Sequence, residues 1–293
     1  MAYRRVWLCL LACVCAVAPA FGQVEPLGDG VYLFRAGVDR SLFVVGDDGV
    51  IVTDPINAEV AADYRAAIRE ITTAPVKYVV YSHYHWDRVS GAQIFKAEGA
   101  EVVTQEQCAQ RFRDNPNPAV VDPDITFAER YDVSVGDRTL ELHYLGPSHG
   151  DCLTVFVAKP ANLLQAVDLV NPPRASFPAD PLGAYIRPHN LRQFLARLEG
   201  LVADEGIDGV VASSAMDDSP AVGPPTLVAD QAQFWGEVYE AVDVAIEQGN
   251  VGIDSFVKMK TVDLTVFEPY GGYSEEKLKM LMRRINGWHD MGR

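Results

Sequence analysis

A layered α/β sandwich is the fold class the sequence predicts, and three observations carry it. Short β-branched and aromatic runs separated by turn residues follow residue 22. Apolar strand-like runs then alternate with segments of helical periodicity, and the strands-then-helix pattern occurs twice. No low-complexity linker or short tandem repeat divides the chain, so one large domain over residues 23–293 is expected. With 48% hydrophobic residues, 293 positions suffice for a sizeable core. A formal net charge of −15 argues against general nucleic-acid binding. A small molecule is therefore the expected partner, and the oligomeric state is left open.

Residues 1–22 read as a secretory signal peptide. Arg4 and Arg5 form a basic start, and residues 6–17 form an apolar run too short for a comfortable membrane span. Ala18-Pro19-Ala20 and Ala20-Phe21-Gly22 both offer small-residue cleavage sites. A lipoprotein reading at Leu10-Leu11-Ala12-Cys13 has only a very short apolar run before its cysteine. No later run is long enough to cross a bilayer, so the mature chain is expected off the membrane, periplasmic or secreted. Cys9, Cys13 and Cys15 leave with the leader; Cys108 and Cys152 remain where a disulfide is permitted, and sequence does not decide whether they pair. Cys152 opens an apolar run to Val157 and reads as buried, with a ligand role beside His149 as the alternative.

In order, residues 30–35, 41–45 and 50–53 read as strands linked by the turns Gly37-Val38-Asp39 and Gly46-Asp47-Asp48-Gly49. Val60, Tyr64 and Ile68 fall at helical spacing over residues 59–71. Pro75 opens a strand over 76–81. A helix over 90–97, a strand over 101–104 and a helix over 105–112 follow, then a proline-rich loop. Strands resume at 132–135 and 139–145 around the turn Gly136-Asp137, and again at 152–157, 163–167 and 209–211. Leu191, Phe194, Leu195 and Leu198 mark a helix over 189–202, and Phe234, Val238, Val242 and Ala245 mark a long one. Residues 258–267 are β-rich in composition, and Ser274 caps a terminal helix over 274–285.

The chemistry gathers at the ends of these strands. Ser82-His83-Tyr84-His85-Trp86-Asp87-Arg88 follows the fifth apolar run and offers ligands at i, i+2 and i+4, which converge from one strand face or from a tight loop. Imidazole and carboxylate suit a borderline divalent ion such as zinc. A further histidine, His149, lies in the tight loop Gly146-Pro147-Ser148-His149-Gly150-Asp151. Asp168 ends another apolar run, just ahead of Pro172-Pro173, and Asp54 ends an earlier one.

The order His-x-His-x-Asp, a loop histidine and a strand-end aspartate resembles the metallo-β-lactamase superfamily across residues 24–215. The resemblance implies a four-layer αββα sandwich, with residues 215–293 as a helical C-terminal extension. It implies that His83, His85 and His149 hold a zinc ion whose bound water becomes a nucleophilic hydroxide near neutral pH. It gives Asp87 the role of orienting that water or binding a second ion, and Asp168 that of bridging two ions. Asp54 would hold the motif loop from behind; a plain strand-end turn residue is the alternative.

Two departures qualify the resemblance. Arg88 stands where many members have histidine, and Ala212-Ser213-Ser214-Ala215 carries no histidine where most members do. One ion is therefore expected rather than two, with Ser214 beside the site instead of in it. Arg88 would act as the second cation, near Asp87 or Asp168, against the alternative of an ordinary surface arginine. His143 reads as exposed or structural, His289 as uninvolved, and His189 as a helix start with a ligand role as the alternative. Tyr84 and Trp86 either wall the pocket or pack in the core.

The expected activity is zinc-dependent hydrolysis of an ester, lactone or amide, with a β-lactam as one case. Asp87, Asp168 and Arg88 serve the chemistry in this reading. One competitor is a mono-iron oxygenase of sulfur compounds on His83, His149 and Asp168. The other is a binding protein with a decayed site.

Overall fold

A computed structural model describes residues 22–178, 187–214, 219–249 and 262–291, with residues 289–291 described by backbone alone. Residues 1–21, all but the last position of the expected leader, and the His289 side chain lie outside the described residues.

Two mixed sheets face each other. The first contains β1 (Gln23–Gly28), β2 (Val31–Ala36), β3 (Asp39–Val45), β4 (Val50–Thr53), β5 (Val76–Val80), β6 (Glu101–Gln105) and β7 (Ile125–Phe127) in sequence order. The second has the order β13-β12-β11-β10-β9-β8. Its strands are β8 (Arg130–Val135), β9 (Arg138–Tyr144), β10 (Thr154–Lys159), β11 (Leu163–Gln165), β12 (Gly209–Val211) and β13 (Val222–Gly223). Leu33, Leu42 and Val44 of the first sheet and Leu140, Leu142 and Val155 of the second belong to one buried cluster, the inter-sheet core.

Helices cover both outer faces. On the first sheet lie α1 (Ala58–Ile71), α2 (Trp86–Val89), α3 (Gln93–Ala97) and α4 (Glu106–Asp114). Asn57 caps α1 by accepting from the Glu59 and Val60 N–H groups. Tyr64 of α1 stacks on Phe34 at 4.4 Å and donates its hydroxyl to the Leu42 carbonyl. On the second sheet, α5 (Pro188–Asp204), α6 (Leu227–Glu247) and α7 (Glu275–Met291) bury Phe194, Phe234 and Leu281 in the large cluster. This is the expected αββα order, and the C-terminal helices form part of its outer layer.

Several boundaries differ from expectation. The strand β1 was not expected, because Glu25 and Pro26 interrupt any apolar alternation; its pairing with β2 makes it a strand. Of the β-rich stretch at 258–267, residues 258–261 lie outside the described residues, and Thr265–Phe267 forms a single 3-10 turn. His143 is 7% exposed, with Nε2 3.3 Å from Glu141, so its role is structural. Cys108 and Cys152 are both buried and joined as a disulfide, which fastens α4 to the loop carrying His149 and removes the ligand reading of Cys152.

Strand direction decides where the site forms. In the first sheet β4 and β5 are parallel, and β2 runs with them through two antiparallel pairings. In the second sheet β9, β11 and β12 share a direction, because β10 is antiparallel to both β9 and β11. The segments after β2, β4 and β5 thus leave one edge of their sheet, and those after β9, β11 and β12 leave one edge of theirs. Ligand sites collect at such carboxyl edges.

Candidate metal centre

His83 and His85 follow β5, His149 follows β9 and Asp168 follows β11, and the four meet. One ligand atom from each lies within 4.8 Å of all the others. His149 Nε2 is 3.2 Å from His85 Nδ1. Asp168 Oδ2 is 3.6 Å from His83 Nε2 and 3.9 Å from His149 Nε2. Ligand atoms on a tetrahedral ion at about 2.0–2.1 Å stand roughly 3.3–3.4 Å apart, so these spacings suit one small ion.

His83 supplies the test of fit. Its ring is fully buried, and Nδ1 is 2.8 Å from the Ser82 hydroxyl, yet its buried Nε2 has no hydrogen-bond partner. A buried polar nitrogen without a partner costs about 1–3 kcal/mol. Here the orphaned atom points among three other ligand atoms. Burial, then the neighbouring His149, His85 and Arg88, holds His83 well below its ordinary pKa. A neutral imidazole is the form that binds metal. The donor set therefore fits a divalent ion.

The motif loop is held from behind by Asp54. Its carboxylate accepts the Ser82 N–H at 2.8 Å, and its own carbonyl accepts the Ser41 hydroxyl at 2.6 Å. Asp54 is 2% exposed and has a backbone φ of 35°. Burial raises its carboxyl to about pH 7, against the lowering effect of the Ser82 hydrogen bonds. The path Asp54–Ser82–His83 fixes which ring nitrogen faces the cluster. Gly91 secures the other side of the motif: its φ is +93°, and a Cβ there would meet the Asn57 backbone at 2.4 Å.

On the far side of Asp168 stands Arg88. Its Nε donates to Asp168 Oδ2 at 3.1 Å, while Nη2 donates to Oδ1 in a second, short bond. Its Nη1 pairs with Asp39 at 2.9 Å and donates to the Ser213 carbonyl at 3.3 Å. Arg88 is 7% exposed. Burial opposes its charge, but Asp168, Asp39 and Asp54 outweigh that and raise its pKa. Burial lifts Asp39, with Arg88 opposing and Asp168 and Asp87 adding to the rise.

Asn171 and Ser213 complete this half. Asn171 Oδ1 accepts from the Ser213 N–H, the Ser213 hydroxyl and the Ser214 N–H. The Ser213 hydroxyl accepts the Asp168 N–H at 2.9 Å. This holds Asp168 in the left-handed region, at φ 59°.

The structure thus brings together His83, His85, His149 and Asp168, with Arg88 and Asp54 against them. Asp87 does not join this group; it is exposed, in the first turn of α2. The side-chain contact expected of Ser214 belongs to Ser213, and Ser214 takes part through its backbone. Exposed His189 lies beside Gln193 on α5, apart from the cluster. Asp39 escaped the sequence reading because it looked like a turn residue. Asn171 and Ser213 act through backbone groups, for which sequence gives no signal.

Comparison with known proteins agrees with this geometry. The family model of the metallo-beta-lactamase superfamily matches residues 37–201, more than half of the sequence, and the chain belongs to that superfamily. Among solved structures, the metallo-beta-lactamase from Pontibacter korlensis superposes with a TM-score of 0.64 at 21% identity, covering 73% of this chain and 99% of that one. The DIM-1 metallo-beta-lactamase exposed to ceftazidime gives 0.61 at 13% identity, covering 74% of this chain and 97% of that one. At such identities the likeness is one of fold. The 2,4-dinitroanisole O-demethylase subunit alpha of Nocardioides sp. (strain JS1661) is 30% identical over 152 residues, 50% of this chain and 45% of that relative. The match therefore spans about half the length of that curated relative.

Proposed function

We propose that this chain is an exported hydrolase that works with one metal ion, zinc, held by His83, His85 and His149. The observation that carries this reading is Arg88, whose guanidinium grips Asp168 beside the three-histidine cluster. A second ion would have to displace a buried cation already paired with two carboxylates. When bound, the ion would supply a water-derived nucleophile at neutral pH and polarise the bond under attack.

The chain's own residues do the rest. Ser82 and Asp54 orient His83, and Arg88 holds Asp168 aimed at the cluster. Tyr84, its ring 4.7 Å from the His85 ring, backs the site, and a Cβ at Gly150 would press on it. Trp86, 42% exposed beside His85, offers a flat apolar surface to an aromatic or otherwise apolar substrate body. Asp87 lies next to it at the rim. Export is supported by the composition of residues 1–22 and by the disulfide, a bond of oxidising compartments. Among the described residues no helix is long and apolar enough to cross a membrane.

An ester, lactone or amide remains the first substrate class. The relative named an O-demethylase adds a second, an activated aryl methyl ether. Metal analysis of protein purified without added metal, followed by a panel of aryl esters, lactones, amides, β-lactams and 2,4-dinitroanisole, tests both. One zinc per chain is expected. His83→Ala/His85→Ala should lose the ion and roughly a thousandfold or more of turnover. Turnover that survives in the double variant would sink the catalytic assignment. Two ions per chain would sink the role given to Arg88, and iron with oxygen uptake would favour the mono-iron oxygenase instead.

A further inference from the structure

A cavity of about 360 Å³ lies against β1, β2 and β3 and reaches Ser219; none of its lining residues belongs to the metal centre. It falls within the range of small-molecule sites, roughly 300–1,000 Å³. Leu33 supplies apolar wall. Arg35 and Arg40 line it too, and they are direct partners across the β2–β3 ladder, so both side chains rise from the same face. Like charges placed opposite each other destabilise a sheet.

Arg40 is the informative member. It is 4% exposed, and its buried Nη1 has no hydrogen-bond partner. Burial, and after it the charge of Arg35, presses its pKa down, and Glu25 offsets this only in part. Glu25 lines the same cavity, and its charge acts against that lowering. A desolvated guanidinium with an idle donor is costly. An oxyanion would relieve that cost, because the guanidinium fork matches carboxylate and phosphate-like groups. Asp39, which pairs with Arg88, precedes Arg40 on β3, so the two side chains leave opposite faces of the strand. Pocket and metal centre are therefore separate sites.

We propose that this cavity binds a small organic anion, its oxyanion headgroup on Arg40 and Arg35 and its apolar body on Leu33. Calorimetric titration of the full chain with benzoate, phenylphosphonate and neutral benzyl alcohol tests it. At least one of the two anions should bind once per chain, and benzyl alcohol should not; the tighter anion names the headgroup. Arg40→Gln should weaken that binding at least tenfold, and His85→Ala should leave it unchanged. The bound anion should also raise the melting temperature of the wild type and not that of Arg40→Gln. Should Arg40→Gln fail to fold, Arg35→Gln, on a less buried side chain, must show the same weakening. Failure of both anions to bind the wild type overturns the proposal. So does equal binding by the arginine variants, or binding lost in His85→Ala but kept in Arg40→Gln, which would place the anion at the histidines.

Discussion

The two halves of the centre handle charge in opposite ways. On the His83 side, a buried ring nitrogen faces two more imidazoles, and nothing among the described residues hydrogen-bonds it. On the Arg88 side, two carboxylates already have their cation, and Asn171 and Ser213 brace the Asp168 backbone through further hydrogen bonds. Asp168 stands between them, with Oδ2 turned to both. The contrast teaches that a positive charge can be built into the chain where orientation matters, and must be recruited from solution where Lewis acidity matters. A guanidinium neutralises and orients carboxylates but cannot polarise a substrate as an ion does.

Removing the built-in cation should have the largest effect on stability. Arg88→Met leaves Asp168 and Asp39 buried or half-buried without a counter-charge, and loss of about 3–5 kcal/mol is expected in urea unfolding. A variant as stable as the wild type would erase the contrast.

The next effect concerns pH. Folded Asp54 titrates at about 7, while an unfolded aspartate titrates at about 3.9. The folded chain thus holds the extra proton between those values. The resulting stabilisation is fully present below about pH 4 and is lost as pH rises through 7. Asp54→Asn mimics the protonated form and keeps an acceptor for the Ser82 N–H. In metal-free protein, melting temperatures of the wild type should therefore fall relative to Asp54→Asn between pH 4 and pH 7. Parallel pH profiles would show that Asp54 is ionised throughout.

Asn171→Ala should have the smallest effect. It removes the acceptor for three donors, two of them backbone, and about 1–3 kcal/mol is expected. It should also weaken metal binding only modestly, because it acts on Asp168 through Ser213. If metal affinity fell as far as in a histidine variant, the two halves could not be treated as separate.

The histidine half was legible in the sequence because metal ligation demands particular side chains, and strand ends locate them. Asp168 and the pairing of Arg88 were legible for the same reason. Asp39 was hidden because its partner, Arg88 on α2, comes from a segment 49 positions away. Ser213 and Asn171 were hidden because backbone groups are their main partners. The fold was read through its apolar runs, so β1, with Glu25 and Pro26, and the two-residue β13 left no trace.

The cross-link between Cys108 and Cys152 ties this centre to its surroundings. Cys152 lies three residues beyond His149, so closing the bond narrows the positions open to one of the three imidazoles. Thermodynamic reciprocity then applies: whatever factor the closed bond adds to ion affinity, a captured ion adds to the bond's resistance to reducing agents. If the closed bond favours ion capture, loading and oxidation reinforce each other, and the chain without an ion becomes the form that thiols open most readily.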